Sequence, residues 1–398
     1  MPASLAAPPP SRPSGFKAIQ DASVVVVGGG PAGSAAATLL ARRGHRVVLL
    51  DKARFPRAKP CAEYLSPGGV GLLGELGVDM AGGRWLRGMQ VIAPNGARHL
   101  VEYGDGWQAL SMQRTTLDAR LLQLAREQGV DVREQHRVDA PLVDNGVVRG
   151  VVVQGKELRA ACVVAADGLN STVVRGLRLR RKAVWPPRLG LVAHLRGVAW
   201  PEDAGQMWIG RHSYVGVAPV GESLLTVGLV RDVPRGRVGA SHKALHHGLA
   251  PFAELSRRLA GAEILEPVQG IGPLAQGVRA TSGRGWLLVG DAAGFLDPLT
   301  GEGLFRALRG AHLAADAVDR ALGGDRQAFQ SYQRARRRAF AAKERLTGLI
   351  QLFVRVPGLM NYVVARLQQR PAMARRLARV LGDLEPADTA DLWALLRP

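Results

Sequence analysis

The feature that most constrains this fold is a glycine-rich turn between a buried strand and a helix. The β-branched run Ser23–Val27 predicts the strand. The Ala- and Leu-rich segment Pro31–Arg43, which Gly44 ends, predicts the helix. Arg46–Leu50 predicts a second buried strand, so the chain opens as a βαβ unit. The turn itself carries the pattern G-x-G-x-x-G, at Gly28, Gly30 and Gly33.

Each residue of this turn has its own physical role. Gly28 permits a tight turn out of the strand, and Gly30 lets backbone amides approach a diphosphate. Gly33 allows close packing of the helix on the strand. Pro31 and Ala32 begin the helix, whose positive end attracts phosphates. The turn therefore predicts a dinucleotide site, although it does not separate FAD from NAD.

An acid at the end of the second strand extends this site. Asp51 follows Gly28 by 23 residues, where a carboxylate is expected to accept hydrogen bonds from the adenosine ribose hydroxyls. Lys52, directly after it, is included among the expected cofactor contacts.

Two later turns separate FAD from NAD. Ala166–Ser171 carries an Asp-Gly pair and Gly290–Gly294 a Gly-Asp pair, each after a predicted buried strand. Both resemble motifs of the para-hydroxybenzoate hydroxylase-like flavoproteins. In that superfamily, the acid at the position of Asp291 binds the ribityl chain, a group that NAD lacks, and an arginine matching Arg114 contacts the flavin. The resemblance implies FAD and these contacts: Arg114, Asp167, Gly290 and Asp291.

The loop Asp297–Leu304, which we call the flavin loop, resembles the geranylgeranyl reductase branch of that superfamily. A Pro-then-Gly loop entering a helix presents backbone amides to an anionic edge. Such amides stabilise the negative charge that the flavin ring gains on reduction. The expected contacts in this loop are Pro298, Gly301, Glu302 and Gly303.

The segment Pro56–Pro67, which we call the Pro–Cys loop, resembles the same branch. That branch carries Pro-Cys-Gly at this place, whereas Ala62 stands in place of the glycine in this chain. The resemblance places Cys61 and Ala62 beside the isoalloxazine ring, with Cys61 as a candidate catalytic residue. A small buried side chain is the equally weighted alternative for Cys61, and Cys162 is assigned to the core.

The resemblance favours an FAD-dependent reductase of a C=C bond in a lipophilic isoprenoid, quinone or polyketide, with NADPH or NADH as electron donor. The alternative is a monooxygenase that uses O₂ to hydroxylate or epoxidise. Halogenases that share this fold carry a Trp-x-Trp-x-Ile-Pro stretch. The segment that resembles it in this chain, Tyr214–Pro219, has neither tryptophan. A non-catalytic flavoprotein is the remaining class.

Reduction of an alkene needs a proton, and the residues leave its donor open. The conceivable general acids are Tyr214, His212 and Glu63. Of these, Tyr214 is our candidate catalytic residue. Three histidines at helical spacing invite a metal hypothesis, but a solvated helix face explains them, so no metal is predicted. They are His242, His246 and His247.

The predicted fold is α/β: a Rossmann-like FAD-binding domain, an antiparallel-sheet substrate domain and a helical C-terminal region. The FAD-binding domain is expected to combine a parallel sheet with a three-stranded meander, because Asn145-Gly146 favours a hairpin. The predicted boundaries are 1–20 for a disordered tail, 21–178 and 279–325 for the FAD-binding domain, 179–278 for the substrate domain and 326–398 for the helical region.

The formal net charge of +20 is high. No aromatic-studded basic stripe accompanies it, so nucleic acid is excluded as a partner. Two interpretations of the arginine-rich C-terminal helices stay open: peripheral contact with an anionic membrane, or packing of their apolar face on the protein. The expected location is cytoplasmic, at or near the inner face of a membrane, and the oligomeric state is left open.

Overall fold

The computed structural model describes residues 22–181, 188–221, 223–232 and 239–389. The predicted tail at 1–20 lies outside these residues, as do the last residues of the predicted helical region.

Strands and helices alternate along the first part of the chain and give way to helices at its end. The first part forms β1 (Ala22–Val27), α1 (Pro31–Arg42), β2 (Val47–Leu50), β3 (Tyr64–Leu65), α2 (Pro67–Leu76), β4 (Arg84–Leu86), β5 (Gly88–Ile92), β6 (Arg98–Glu102), β7 (Ala109–Ser111), α3 (Arg114–Glu127), β8 (Asp131–Arg133), β9 (Val138–Asp144), β10 (Val147–Val153), β11 (Lys156–Ala165) and α4 (Thr172–Gly176). The middle part forms β12 (Arg180–Arg181), β13 (Arg188–Arg196), β14 (Ala204–Ile209), β15 (Ser213–Val220), β16 (Leu224–Asp232), α5 (His242–Leu249), α6 (Ala253–Arg258), β17 (Glu263–Ile264), β18 (Gln269–Ile271), β19 (Gly277–Val278), β20 (Ser282–Gly283) and β21 (Trp286–Leu288). The last part forms α7 (Gly303–Leu322), α8 (Ala328–Arg355), α9 (Pro357–Gln369) and α10 (Pro371–Leu381).

A parallel sheet in the order β21-β11-β1-β2-β8 forms the first core. The long strand β11 also pairs antiparallel with β10, and β10 pairs with β9, which gives the predicted meander. Alternate residues of β1 face opposite sides: Val24 and Val26 pack with α1, α3 and α7, whereas Val25 and Val27 pack with the meander. The predicted Rossmann-like fold is confirmed.

A second sheet has the order β17-β13-β16-β15-β14-β5-β6 and is antiparallel except where β14 pairs with β5. Its strands β5 and β6 come from the stretch 21–178 that the sequence assigns to the first domain, and they hydrogen-bond into this sheet instead. The predicted domain boundaries therefore do not describe this pairing. The stretch 241–259 forms two helices, α5 and α6, because the Pro251 nitrogen carries no hydrogen to donate to the carbonyl oxygen one turn before it.

The C-terminal helices cover one face of this second sheet. Phe353, Val354 and Val364 are buried in a cluster that also holds Tyr214 and Val230 of the sheet. The apolar face of these helices therefore packs on the protein, as one of the two interpretations predicted. In the ranges described, no single helix meets the length and hydropathy needed to cross a bilayer, and α8 with α9 does so only as a pair bent by 115°.

A buried ion pair ties these helices to the first core. The ammonium of Lys343 on α8 donates to the Asp383 carboxylate and to the carbonyl oxygen of Leu381, 3.0 Å away. Ser66, which caps α2, donates to the other Asp383 oxygen over 2.6 Å. One carboxylate thus joins the start of α2 to the middle of α8 and the end of α10.

Candidate functional site

The glycine turn makes the close contacts that its pattern predicts. A Cβ atom at Gly33 would lie 1.8 Å from the Gly28 carbonyl oxygen, so only glycine permits this approach of α1 to β1. Gly28 has φ +102°, and a Cβ there would lie 2.5 Å from the carbonyl oxygen of Ala166. The first turn therefore rests directly on the Asp-Gly turn.

The Gly-Asp turn also lies beside the glycine turn. Gly290 has φ +57°, and a Cβ there would come within 3.0 Å of the Ala32 side chain at the start of α1. The reason lies in the sheet order, because β1 lies next to β11 and β11 next to β21. Neighbouring parallel strands end at one edge, which brings turns from three distant parts of the sequence together.

Asp51 is buried and bonded within the protein. One carboxylate oxygen accepts from the Gly29 amide over 2.6 Å and the other from the Ala53 amide over 2.7 Å. Asp51 thus holds the glycine turn in shape, and each oxygen keeps a lone pair for the predicted ribose contact. Lys52 beside it is exposed.

Asp167 provides a test of whether a cofactor fits this site. One oxygen accepts from the Thr172 amide over 2.6 Å, while the buried Oδ1 has no hydrogen-bond partner among the described residues. Burial raises the pKa of this carboxyl above its ordinary value. A buried acceptor without a partner costs free energy, which a hydroxyl of a bound ligand would offset. The site therefore suits the polar, hydroxyl-rich middle of a flavin dinucleotide.

Two basic residues of the Pro–Cys loop reach this site, and the sequence interpretation missed both. The Arg57 guanidinium lies 3.4 Å from where a Cβ on Gly30 would stand, and the Lys59 ammonium lies 3.8 Å from the equivalent point on Gly168. Burial lowers the pKa of Lys59, against the opposing charge of Asp291. The Arg-x-Lys spacing soon after the ribose-binding acid was the available signal for a diphosphate contact.

Arg114 and Cys61 lie side by side. The Arg114 guanidinium donates two hydrogen bonds to Asp118, of 2.7 and 2.8 Å, and it also contacts the Cys61 thiol. The thiol accepts from the Glu63 amide over 3.3 Å. Cys61 is partly exposed, so the alternative of a fully buried packing residue does not describe it. Cys162 is buried in β11, as predicted.

Glu63 is a structural junction. Its carboxylate accepts from the Arg114 amide over 2.9 Å, from Thr226 Oγ1 over 2.6 Å and from His194 Nε2 over 2.9 Å. The hydrogen bond that His194 makes to Glu63 raises the pKa of His194. The three donors come from α3 and from two strands of the second sheet, so Glu63 fixes the Pro–Cys loop to the second sheet.

The flavin loop is held from behind by a buried polar cluster. The Asp297 carboxylate accepts from the Tyr214 hydroxyl, from the Leu299 amide over 3.0 Å and from Arg188 over 3.2 Å. Pro298 follows directly and is partly exposed. The loop therefore presents its next residues from a fixed base.

The rest of the flavin loop leads into α7. Gly301 has φ +66°, and a Cβ there would lie 2.9 Å from the Tyr64 ring. Glu302 is buried, pairs with Arg306 over 3.5 Å, and has a pKa raised by burial. Gly303 is the first residue of α7, so free backbone amides occur where the sequence predicted them.

The remaining candidate residues differ in how deeply their side chains are buried. Tyr214 is buried, and burial raises its pKa well above the ordinary value, with Asp297 adding to the effect. The His212 side chain is exposed and faces Asp232 at 3.6 Å. The histidines of α5 are exposed as well, and the described residues contain no group of three or more side chains placed to hold a metal ion.

Comparisons with known proteins agree with this geometry. The family model described as "FAD binding domain" matches residues 21–347. Menaquinone reductase of Mycolicibacterium smegmatis is 30% identical over 395 residues, covering 93% of each chain. Digeranylgeranylglycerophospholipid reductase 2 of Methanopyrus kandleri is 32% identical over 296 residues, covering 72% of this chain and 74% of its own.

Solved structures share the fold. A geranylgeranyl bacteriochlorophyll reductase-like protein from Thermoplasma acidophilum has a TM-score of 0.78 at 22% identity, covering 94% of this chain and 99% of its own. A flavin-dependent brominase has a TM-score of 0.79 at 23% identity, covering 91% of this chain and 94% of its own. Likeness at this identity establishes the architecture alone.

The position of Arg57 generates a prediction. Arg57→Gln should weaken FAD binding by about tenfold, because a charge-assisted hydrogen bond to a diphosphate contributes roughly 1.5 kcal/mol or more. Titration of the apoprotein with FAD, followed by flavin fluorescence, measures the change. Arg54→Gln, at an exposed position just before the Pro–Cys loop, is the matched control and should bind as the wild type does. If Arg57→Gln bound FAD as tightly as Arg54→Gln does, the proposed contact between Arg57 and the diphosphate would be contradicted.

Proposed function

Because the chain belongs to the geranylgeranyl reductase branch of the para-hydroxybenzoate hydroxylase-like FAD-dependent oxidoreductases, we propose that it reduces a C=C bond in a lipophilic isoprenoid, quinone or polyketide. The observation that carries this proposal is a pair of facing glycines, Gly216 and Gly228, which leave part of the second sheet beside the Pro–Cys loop without side chains; we call this surface the trough. The relatives named as reductases of menaquinone and of a geranylgeranyl lipid support the same substrate class.

The trough follows from the register of the sheet. Gly216 on β15 lies directly opposite Gly228 on β16, so the sheet carries no side chain there. A Cβ at Gly228 would stand 3.8 Å from the Ala62 side chain, and one at Gly216 would stand 3.6 Å from the Met207 methyl group. Both glycines stay partly exposed although they lie in central strands. Such a surface accommodates a narrow apolar chain next to Cys61.

The residues present fit FAD in one orientation. The first glycine turn with Arg57 and Lys59 would hold the diphosphate, Asp291 the ribityl chain, and the flavin loop the ring edge. Bound there, FAD supplies hydride to the substrate. The amides at the start of α7 stabilise negative charge on the ring edge, because they point from the positive end of a helix. NADPH or NADH is the proposed electron donor.

Cys61 stays the proposed catalytic side chain, and Tyr214, the other candidate, is proposed to act by positioning. Cys61 directly precedes Ala62, which borders the trough, and it contacts Arg114, so we assign its thiol the contact with substrate or flavin. Tyr214 keeps its proton at neutral pH because burial raises its pKa, and it donates that proton in a hydrogen bond to Asp297 of the flavin loop. Tyr214 therefore acts through the loop that it positions.

One experiment distinguishes a reductase from a monooxygenase and from a non-catalytic flavoprotein. The photoreduced holoenzyme is mixed, without O₂, with menaquinone or with a geranylgeranyl lipid, and the products are examined by mass spectrometry. The reductase proposal expects flavin oxidation and a product with two added hydrogen atoms. A product that forms only with O₂ and contains an added oxygen atom would identify the monooxygenase alternative. No product under either condition would leave a non-catalytic flavoprotein.

The trough generates a prediction of its own. Gly228→Leu should lower kcat/KM for the lipophilic substrate by about tenfold or more, because the new side chain fills the space of the substrate chain. Binding of FAD and its photoreduction should persist, since no proposed FAD contact changes. Gly74→Leu, which adds the same side chain at an exposed position on α2, is the control. An unchanged kcat/KM for Gly228→Leu would place the substrate elsewhere.

We also propose that the protein is cytoplasmic and contacts the inner face of a membrane at the α8–α9 bend. Leu352, Val356 and Tyr362 are 50%, 47% and 40% exposed there, and basic residues flank them. Apolar side chains among arginines suit the interface of an anionic bilayer.

Sedimentation with vesicles of phosphatidylglycerol tests this contact. The double variant Leu352→Ser with Val356→Ser should lose most of the vesicle-bound fraction, because it removes apolar area from the interface. Val143→Ser, at an exposed valine of β9, is the control and should bind as the wild type does. If the double variant bound vesicles as the wild type does, the proposed membrane contact would be contradicted.

A further inference from the structure

A large cleft lies next to the segment that leads into the flavin loop. Its volume is about 920 Å³, and its walls are the segment 275–281, the residues Ala293–Leu296 and one face of α8. None of the FAD contacts expected from the sequence lines it. The volume lies within the range of about 300–1,000 Å³ that small-molecule sites occupy.

The charge of this cleft is strongly positive. Glu344 is the one carboxylate among its described lining residues, and it already accepts a hydrogen bond from Arg306 over 2.5 Å. Six further arginines line the cleft, and none of them forms an ion pair with a carboxylate of the described residues, although the charge of Glu344 acts on Arg336. They are Arg181, Arg279, Arg334, Arg336, Arg337 and Arg345.

Two guanidinium groups are held together in the wall. Arg306 lies 4.9 Å from the centre of the Phe340 ring and Arg336 lies 5.3 Å from it. Burial lowers the pKa of Arg336, and the nearby charge of Arg306 lowers it further. Glu344 lies close to both guanidinium groups and offsets part of this repulsion, and the positive charge that remains in the wall suits a ligand of opposite charge.

We propose that this cleft binds a phosphate ester carrying at least two negative charges. Several guanidinium groups around one space favour a phosphate, because its three terminal oxygens can accept hydrogen bonds from more than one arginine and its charge can exceed that of one carboxylate. Two sources share this chemistry: the phosphorylated ribose of a nicotinamide dinucleotide, and the headgroup of a phospholipid. The assignment depends on the cleft alone and holds whichever substrate the flavin reduces.

The place of the cleft gives the ligand a role. Ala293 and Gly294 end the Gly-Asp turn, and Phe295 and Leu296 join it to the flavin loop, so a phosphate in the cleft would contact the same segment that contributes the expected cofactor contacts. A dinucleotide anchored there, or a lipid anchored by its headgroup, would have its remaining length free to reach towards the ring.

Binding of inorganic pyrophosphate to the FAD-loaded protein, measured by isothermal titration calorimetry, tests the cleft. The double variant Arg334→Gln with Arg337→Gln should bind about tenfold more weakly or worse, because charge-assisted hydrogen bonds are lost. Both side chains are exposed, so the fold is expected to persist. Arg338→Gln removes the same charge from the next position of α8, outside the cleft, and should bind as the wild type does.

Competition then identifies the source. Displacement of pyrophosphate by adenosine 2′,5′-bisphosphate would assign the cleft to a dinucleotide, and displacement by glycerol 1-phosphate would assign it to a lipid headgroup. Displacement by neither compound, or equal weakening in the double variant and in Arg338→Gln, would overturn the proposal. These binding measurements need no turnover, so their outcome is independent of the reductase assay.

Discussion

One buried carboxylate, that of Glu63, connects the cofactor site to the second sheet. It accepts from the Arg114 amide at the start of α3, and from Thr226 and His194 on two strands of the second sheet. Since Glu63 lies in the Pro–Cys loop, this junction also sets where Cys61 and Ala62 lie. Removing any of its donors would leave a buried charge undercompensated, which is costly in a low dielectric. The relation between flavin and substrate therefore depends on this junction.

The cofactor site itself depends on strand order. Three turns that lie far apart in the sequence meet because the strands that precede them are neighbours in one parallel sheet. Close packing at Gly28, Gly33 and Gly290 leaves little freedom for these turns. The cation-rich Pro–Cys loop then closes over them, and its charges oppose the carboxylates of Asp118 and Asp291. Positive charge in this protein is thus placed where phosphate is expected, in the cofactor site and again in the cleft along α8.

Local rules predicted much of this correctly. The βαβ opening and the meander at Asn145-Gly146 follow from glycine chemistry and apolar periodicity, which act between near neighbours in the chain. The pairing of β5 and β6 with the second sheet was missed, because strand partners distant in sequence leave no local signal. The role of Glu63 was missed for the same reason, since its partners come from three separate elements.

The sequence by itself determined the cofactor class, because each contact loop carries a short motif whose backbone requirements only certain residues meet. It also determined that the C-terminal region is helical and basic. Tertiary structure alone decided that those helices pack on the second sheet, that Gly216 and Gly228 face each other under Ala62, and that arginines from distant segments surround one cleft. The physical reason is that motifs constrain the backbone of a few adjacent residues, whereas a cavity and its charge depend on distances between residues that only folding brings together.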